Sequence, residues 1–152
     1  MKLKIETGIS NKILRKKSKP IKSGDISNIE KLISDMIDTM YEDDGIGLAA
    51  PQIGKNIQLC IIGNKVTPDE KDLILINPKI TFFGKKTEVL EEGCLSLPDI
   101  FGDVERSVKI RVKAKDQNGK EVIIKAKGLF ARVIQHEIDH LNGILFMDKI
   151  KI

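Results

Sequence analysis

Leu129-Phe130-Ala131-Arg132-Val133-Ile134-Gln135-His136-Glu137-Ile138-Asp139-His140-Leu141-Asn142 is the stretch on which the fold turns. Gly128 before it and Gly143 after it are natural breaks, so the periodic segment between them reads as one helix. Its apolar residues, at 129, 130, 133, 134, 138 and 141, surround most of that helix, and a helix apolar on most sides is buried. Strands are available to bury it. Val108, Ile110, Val112 and Ala114 alternate with polar residues, Asn118-Gly119 is a hairpin turn signal, and Val122, Ile124 and Ala126 fit the return strand. Ile57 to Ile62 and Leu73 to Ile76 are short apolar runs, the second stopped by Asn77-Pro78. Nearer the start, Ser27 and Glu30 have capping-box spacing, and Ile29, Leu32, Ile33, Met36, Ile37 and Met40 draw one apolar stripe ended by acidic residues and Gly45. A loop, Gly45 to Gln52, follows. The expected class is α+β: antiparallel strands wrapped around the central helix, with an additional helix from the N-terminal half packed outside, in a single domain over 1–152.

Composition narrows the function. At 152 residues, 41% hydrophobic and 32% charged, the chain is that of one folded globular domain. No run approaches the ~18 uninterrupted apolar residues of a membrane span. No apolar h-region follows Met1, so no secretory leader is expected. Two cysteines, Cys60 and Cys94, make no disulfide framework, which points to a reducing compartment such as the cytoplasm. Aromatics at 4% supply a base-stacking platform poorly, and a net charge of +4 argues only weakly for an acidic partner. Arg15, Lys16, Lys17 and Lys19 lie in a basic, polar stretch, 11–25, that reads as solvated surface.

The chain has only two histidines, and both sit on the central helix. His136 and His140 are four apart and project from one face, with Glu137 directly after the first. In H-E-x-x-H the two imidazoles hold a divalent metal and the glutamate handles the proton of a water. Two histidines do not complete a catalytic site, which needs about three protein ligands and an open position. Only 12 residues follow His140, and Asp148 is their sole acidic side chain. No further helix is present to offer a glutamate, and Phe146 stands where a metzincin would have its third histidine. The third ligand therefore comes from upstream. Cys94 is the best candidate, in Glu91-Glu92-Gly93-Cys94-Leu95-Ser96, although a core role is the alternative for this thiol. Cys60, inside an apolar run, reads as a buried core thiol.

Three segments, Gly45 to Gln52 (GIGLAAPQ), Glu92 to Ser96 (EGCLS) and Gln135 to His140 (QHEIDH), together resemble the peptide deformylase family, and their short spacing resembles its compact bacterial type. The likeness runs from Ile13-Leu14-Arg15 to Phe146-Met147-Asp148. The resemblance implies hydrolysis of the N-formyl group from N-terminal formylmethionine of nascent polypeptides, releasing formate. It implies one divalent metal on Cys94, His136 and His140, typically Fe2+, with Zn2+, Ni2+ or Co2+ also able to bind. Glu137 would be the general base and acid. The side chain of Gln52 and the backbone N–H of Leu95 would hold the formyl oxygen, Ile46, Leu129 and Val133 would line the methionine pocket, and Gly47 would bind substrate by letting the loop backbone approach the peptide closely.

The implied partners are formyl-Met nascent peptides, with no membrane and a monomeric enzyme. Many relatives continue into a basic C-terminal helix that docks on the ribosome. This chain stops four residues after Asp148, so only weak ribosome contact is expected, with Arg15, Lys16, Lys17 and Lys19 as a possible substitute. The alternatives are another HExxH metallopeptidase, which lacks a downstream third ligand here, and a metal-stabilised binding module, which would want a closed four-ligand site.

Overall fold

The computed structural model describes residues 1–151. From the N-terminus the chain forms one helical turn, α1 (Lys12–Arg15), and a longer helix, α2 (Glu30–Glu42). Seven strands follow: β1 (Gly47–Ala49), β2 (Leu59–Ile62), β3 (Leu73–Phe83), β4 (Thr87–Cys94), β5 (Leu97–Ser107), β6 (Lys109–Lys115) and β7 (Glu121–Lys127). The last long element is α3 (Gly128–Leu141), the helix expected over 129–142. One antiparallel sheet has the order β1-β2-β3-β6-β7, and β4 and β5 pair as a separate hairpin. The class is α+β, as expected.

The five-stranded sheet lies between the two long helices. Cys60 and Ile62 of β2 share a core with Ala131, Ile134, Ile138 and Leu141 of α3. Leu59 and Ile61 share another with Ile33, Met36 and Met40 of α2. A strand covered on both faces shows a continuous apolar run, which is why 59–62 has no polar alternation. Met36 and Met40 are fully buried, each contributing about 1.5–3 kcal/mol by the transfer of its side chain from water. The hairpin has its own small core, in which Leu97 and Val104 meet Leu14, Leu145 and Phe146. Both ends of α3 depend on left-handed glycines. Gly128 (φ +64°) turns the chain out of β7, and Gly143 (φ +74°) gives its N–H to the His140 carbonyl.

Several local expectations are corrected. Ser27 does not cap α2. Residues Ser23–Ile29 wind as a 3-10 helix that runs into Glu30, so the helix begins without a side-chain cap. Asn77-Pro78 does not stop β3. The pairing with β6 shifts between Ile76 and Lys79, Asn77 takes φ +51°, and the bulge accommodates a proline that cannot donate. The Asn77 side chain ties the bulge down, donating to the Ile21 carbonyl and accepting from the Ile21 N–H, both at 2.8 Å. The Gly45–Gln52 segment is more than a loop, since it contains β1 and runs into a 3-10 turn, Ala50–Ile53. The basic stretch 11–25 is anchored, with Leu14, Ser18 and Ile21 buried, while Lys16, Lys17 and Lys19 stay exposed. Arg15 is taken by Asp148 through two contacts, 2.5 and 3.2 Å. Among the described residues, no helix is long and apolar enough to cross a membrane.

Candidate metal and peptide site

α3 carries His136 and His140 one turn apart on its inner face, with ring centroids 5.0 Å apart. The end of β4 brings Cys94 to them, where the register slips between Glu92 and Cys94 as the hairpin turns. Cys94 Sγ lies 3.3 Å from His140 Nε2, and one ligand atom from each of Cys94, His136 and His140 falls within 4.8 Å of the others. That separation suits three donors converging on one cation. One soft thiolate with two imidazoles is a donor set for iron, zinc, nickel or cobalt, and too soft for magnesium or calcium.

The electrostatics agree with a cation there. Burial alone would lower His136, but hydrogen bonds to Cys94 and Glu92 outweigh it and lift the imidazole to about 10. A field that favours a proton at that point also favours a metal ion. His140 is driven well below its ordinary value, first by burial and then by the positive charges of His136 and Arg106, so it presents a neutral ring ready to ligate. Glu137 is pushed up to about 7 by burial, against the pull of His136 and Arg106. Its Oε1 is buried with no protein partner among the described residues. A carboxylate poised near neutrality with a free oxygen is suited to take and return a proton.

A cleft of about 700 Å³ opens onto this cluster. Nine of the ten residues singled out from the sequence line it, and the tenth, His140, is buried in contact with Cys94. Gln52 is fixed from below, because its Oε1 accepts from the Ala49 N–H at 2.9 Å. Its Nε2 is thereby aimed at Ser96 Oγ (3.2 Å) and Cys94 Sγ (3.5 Å). Leu95 sits at the hairpin turn with an N–H that has no backbone partner among the described residues. Val133 is buried at the floor, while Ile46 and Leu129 stand exposed at the lip. Gly47 passes so close that a Cβ there would lie 2.6 Å from Glu137 Oε2 and 2.9 Å from Val133 Cγ1. Cys60 lies elsewhere, fully buried in the sheet core, with burial and the Glu137 charge pushing its thiol well up. It is the buried core thiol expected, and such a thiol is unreactive.

The family model for polypeptide deformylase matches residues 4–152. The chain belongs to the polypeptide deformylase family. It is 46% identical over 144 residues to a peptide deformylase of Picosynechococcus sp., covering 94% of this chain and 76% of that protein. It is 46% identical over 139 residues to one from Rhizobium meliloti, covering 91% and 79%. The solved peptide deformylase of Thermotoga maritima superposes with a TM-score of 0.92 at 41% identity, covering 100% of this chain and 99% of that one. The Synechococcus elongatus peptide deformylase in complex with actinonin gives 0.89 at 42% identity, covering 99% and 79%.

Within this deformylase frame the structure adds residues that the sequence reading left without a role. Glu92 Oε1 accepts from His136 Nδ1 at 2.9 Å, which turns Nε2 toward Cys94 and fixes the tautomer. Arg106 grips Glu92 with two donors, at 2.6 and 2.9 Å, and reaches Asp139 at 2.8 Å. Arg132 adds a third contact to Glu92, at 2.6 Å, and also donates to the Val104 and Glu88 carbonyls. Burial works to raise the Glu92 carboxyl, but His136 and Arg106 prevail and hold it well below the usual carboxylate range. A partial signal existed. Glu92 is two residues before Cys94 on one strand, and Arg132 is one turn before His136 on one helix face. Nothing local pointed to Arg106.

Proposed function

We propose that this chain removes the formyl group from N-terminal formylmethionine of nascent polypeptides and releases formate, acting as one catalytic domain over 1–152. The observation that carries the reading is the meeting of three elements in one cleft: the Cys94–His136–His140 donor set, the unpartnered Glu137 oxygen, and the Gln52 amide. Cys94, His136 and His140 would hold the ion, Fe2+ for preference, with Zn2+, Ni2+ or Co2+ compatible with the same donors. When bound, the ion supplies Lewis acidity and a water acidic enough to ionise near neutral pH.

The chain's own groups do the rest. Glu137 takes the proton of the attacking water and returns it to the departing amine nitrogen as the carbon–nitrogen bond breaks, so one proton is moved and none is lost. Gln52 Nε2 and the Leu95 N–H face the oxygen on which negative charge develops. Each donor of this kind is worth about 2.7–4 kcal/mol in comparable deletions. Ile46, Leu129 and Val133 receive the unbranched methionine side chain, and Gly47 brings the loop backbone against the substrate beside Glu137. A formyl carbon bears only hydrogen, so crowding around Gly47 admits it and opposes acetyl. The setting is the cytoplasm and the active form a monomer, with any ribosome contact weak.

The test is formate release from N-formyl-Met-Ala-Ser by protein loaded anaerobically with Fe2+, beside N-acetyl-Met-Ala-Ser. Turnover of the first alone supports the reading. Cleavage between Met and Ala without formate would favour an HExxH peptidase.

A further inference from the structure

The outward face of β3, β6 and β7 carries a charge pattern that the catalytic site does not use. Lys79 stands directly opposite Lys113, Arg111 opposite Lys125, and Lys109 opposite Lys127. All six are exposed, and like charges placed directly across a sheet repel. Among the described residues only Lys113 has a carboxylate partner, Glu121 at 3.5 Å. Edge protection by lysine explains β7, which is an edge strand. It does not explain β6 or β3, which have neighbours on both sides. Six cations facing one carboxylate exceed the +4 of the whole chain, so the remaining surface is on balance not basic.

A cavity of about 650 Å³ adjoins this face, lined by Lys65, Lys109, Arg111, Lys125 and Lys127 and by no carboxylate. Phe82, half exposed, stands there with the Arg111 guanidinium 5.6 Å over its ring. A flat, sequence-tolerant ligand with repeated negative charges and π-faces would meet both features: phosphates the lysines, bases the Phe82–Arg111 stack. A lipid surface would want more exposed apolar area than Phe82, Ile123 and Leu129 provide. Leu129 lines both this cavity and the catalytic cleft. We infer that the β3–β6–β7 face is a docking surface for the sugar–phosphate backbone of single-stranded RNA, placed beside the mouth of the catalytic cleft. Docking here is independent of turnover, since no residue of the face belongs to the catalytic machinery.

The test is fluorescence anisotropy with a fluorescein-labelled 20-nucleotide single-stranded RNA of mixed sequence. With four phosphates contacted, affinity should fall about 50-fold between 50 and 200 mM KCl. The variant Lys109→Gln/Arg111→Gln/Lys125→Gln/Lys127→Gln should bind at least ten-fold more weakly at 50 mM. It should also unfold at the same or a higher temperature, because repulsion has been relieved. The variant Lys16→Gln/Lys17→Gln/Lys19→Gln should bind as the unaltered protein does, and turnover of a short formylated peptide should be unchanged in both. Unaltered RNA affinity in the quadruple variant overturns the proposal. So does equal affinity for polyglutamate, or binding to phosphatidylserine vesicles without binding to RNA.

Discussion

Gly47→Ala tests how closely the cleft depends on one missing methyl group. The added Cβ would sit 2.6 Å from Glu137 Oε2, 3.0 Å from Glu137 Cδ and 2.9 Å from Val133 Cγ1. All three distances are well inside the ~3.5 Å at which non-bonded atoms begin to gain from contact. Gly47 is not in the left-handed region, so alanine brings no backbone strain. The Glu137 carboxylate is the softer neighbour and gives way by up to about 1 Å, a displacement that can cost on the order of 100-fold in rate. A hundred-fold loss corresponds to about 2.7 kcal/mol in the activation barrier. The stability cost is that of modest overpacking, about 1–3 kcal/mol. The assay is kcat on N-formyl-Met-Ala-Ser, with metal content measured on the same sample. The expected result is kcat down about 100-fold, metal content unchanged, and Tm slightly lowered. Gly24→Ala, whose Cβ would meet nothing within 4 Å, is the control and should be silent. If Gly47→Ala keeps kcat within three-fold of the control, on the ~1 Å displacement argument, the carboxylate is not positioned by this contact and the reasoning fails.

Four further outcomes are expected. Cys94→Ala should lose its metal on purification while Cys60→Ala retains it, and equal retention in the two would remove Cys94 from the ligand set. Glu137→Gln should keep the metal and lose most turnover, whereas loss of the metal would make Glu137 a ligand. Glu92→Gln leaves Arg106 and Arg132 buried beside a neutral amide. It should cost about 3–5 kcal/mol in chemical denaturation and about 10–100-fold in metal affinity, and a change under 1 kcal/mol would refute the orienting role. Asp148 is held below its ordinary value, chiefly by the Arg15 hydrogen bond, so its contribution is present above the unfolded carboxylate range and is lost as pH falls through the folded value. The Tm gap between the unaltered protein and Asp148→Asn should therefore close as pH is lowered below about 4, and a gap independent of pH would refute the ion pair.

Features set by neighbours along the chain were legible before any fold was known. The buried helix, its Gly128 and Gly143 ends, the His136–Glu137–His140 spacing and the 108–126 hairpin all follow from periods of 3.6 and 2 and from glycine's backbone freedom. The burial of Cys60 followed from its place in an apolar run. Tertiary structure decided what depends on distant partners. β4 and the start of β5 are mostly exposed on both faces, apolar Val89, Leu90, Ile100 and Phe101 included, so they show no alternation, and only pairing across the hairpin makes them strands and carries Cys94 to α3. Asn77-Pro78 reads locally as a stop, yet the bulge against β6 absorbs it. Arg15 reads as a free surface charge and is bound by Asp148, 133 residues away. Above all, Arg106 carries no local mark. Its role exists only because Glu92 and Asp139 are folded around it, with Glu92 in turn holding His136, and a buried charge acquires meaning from the partners that compensate it.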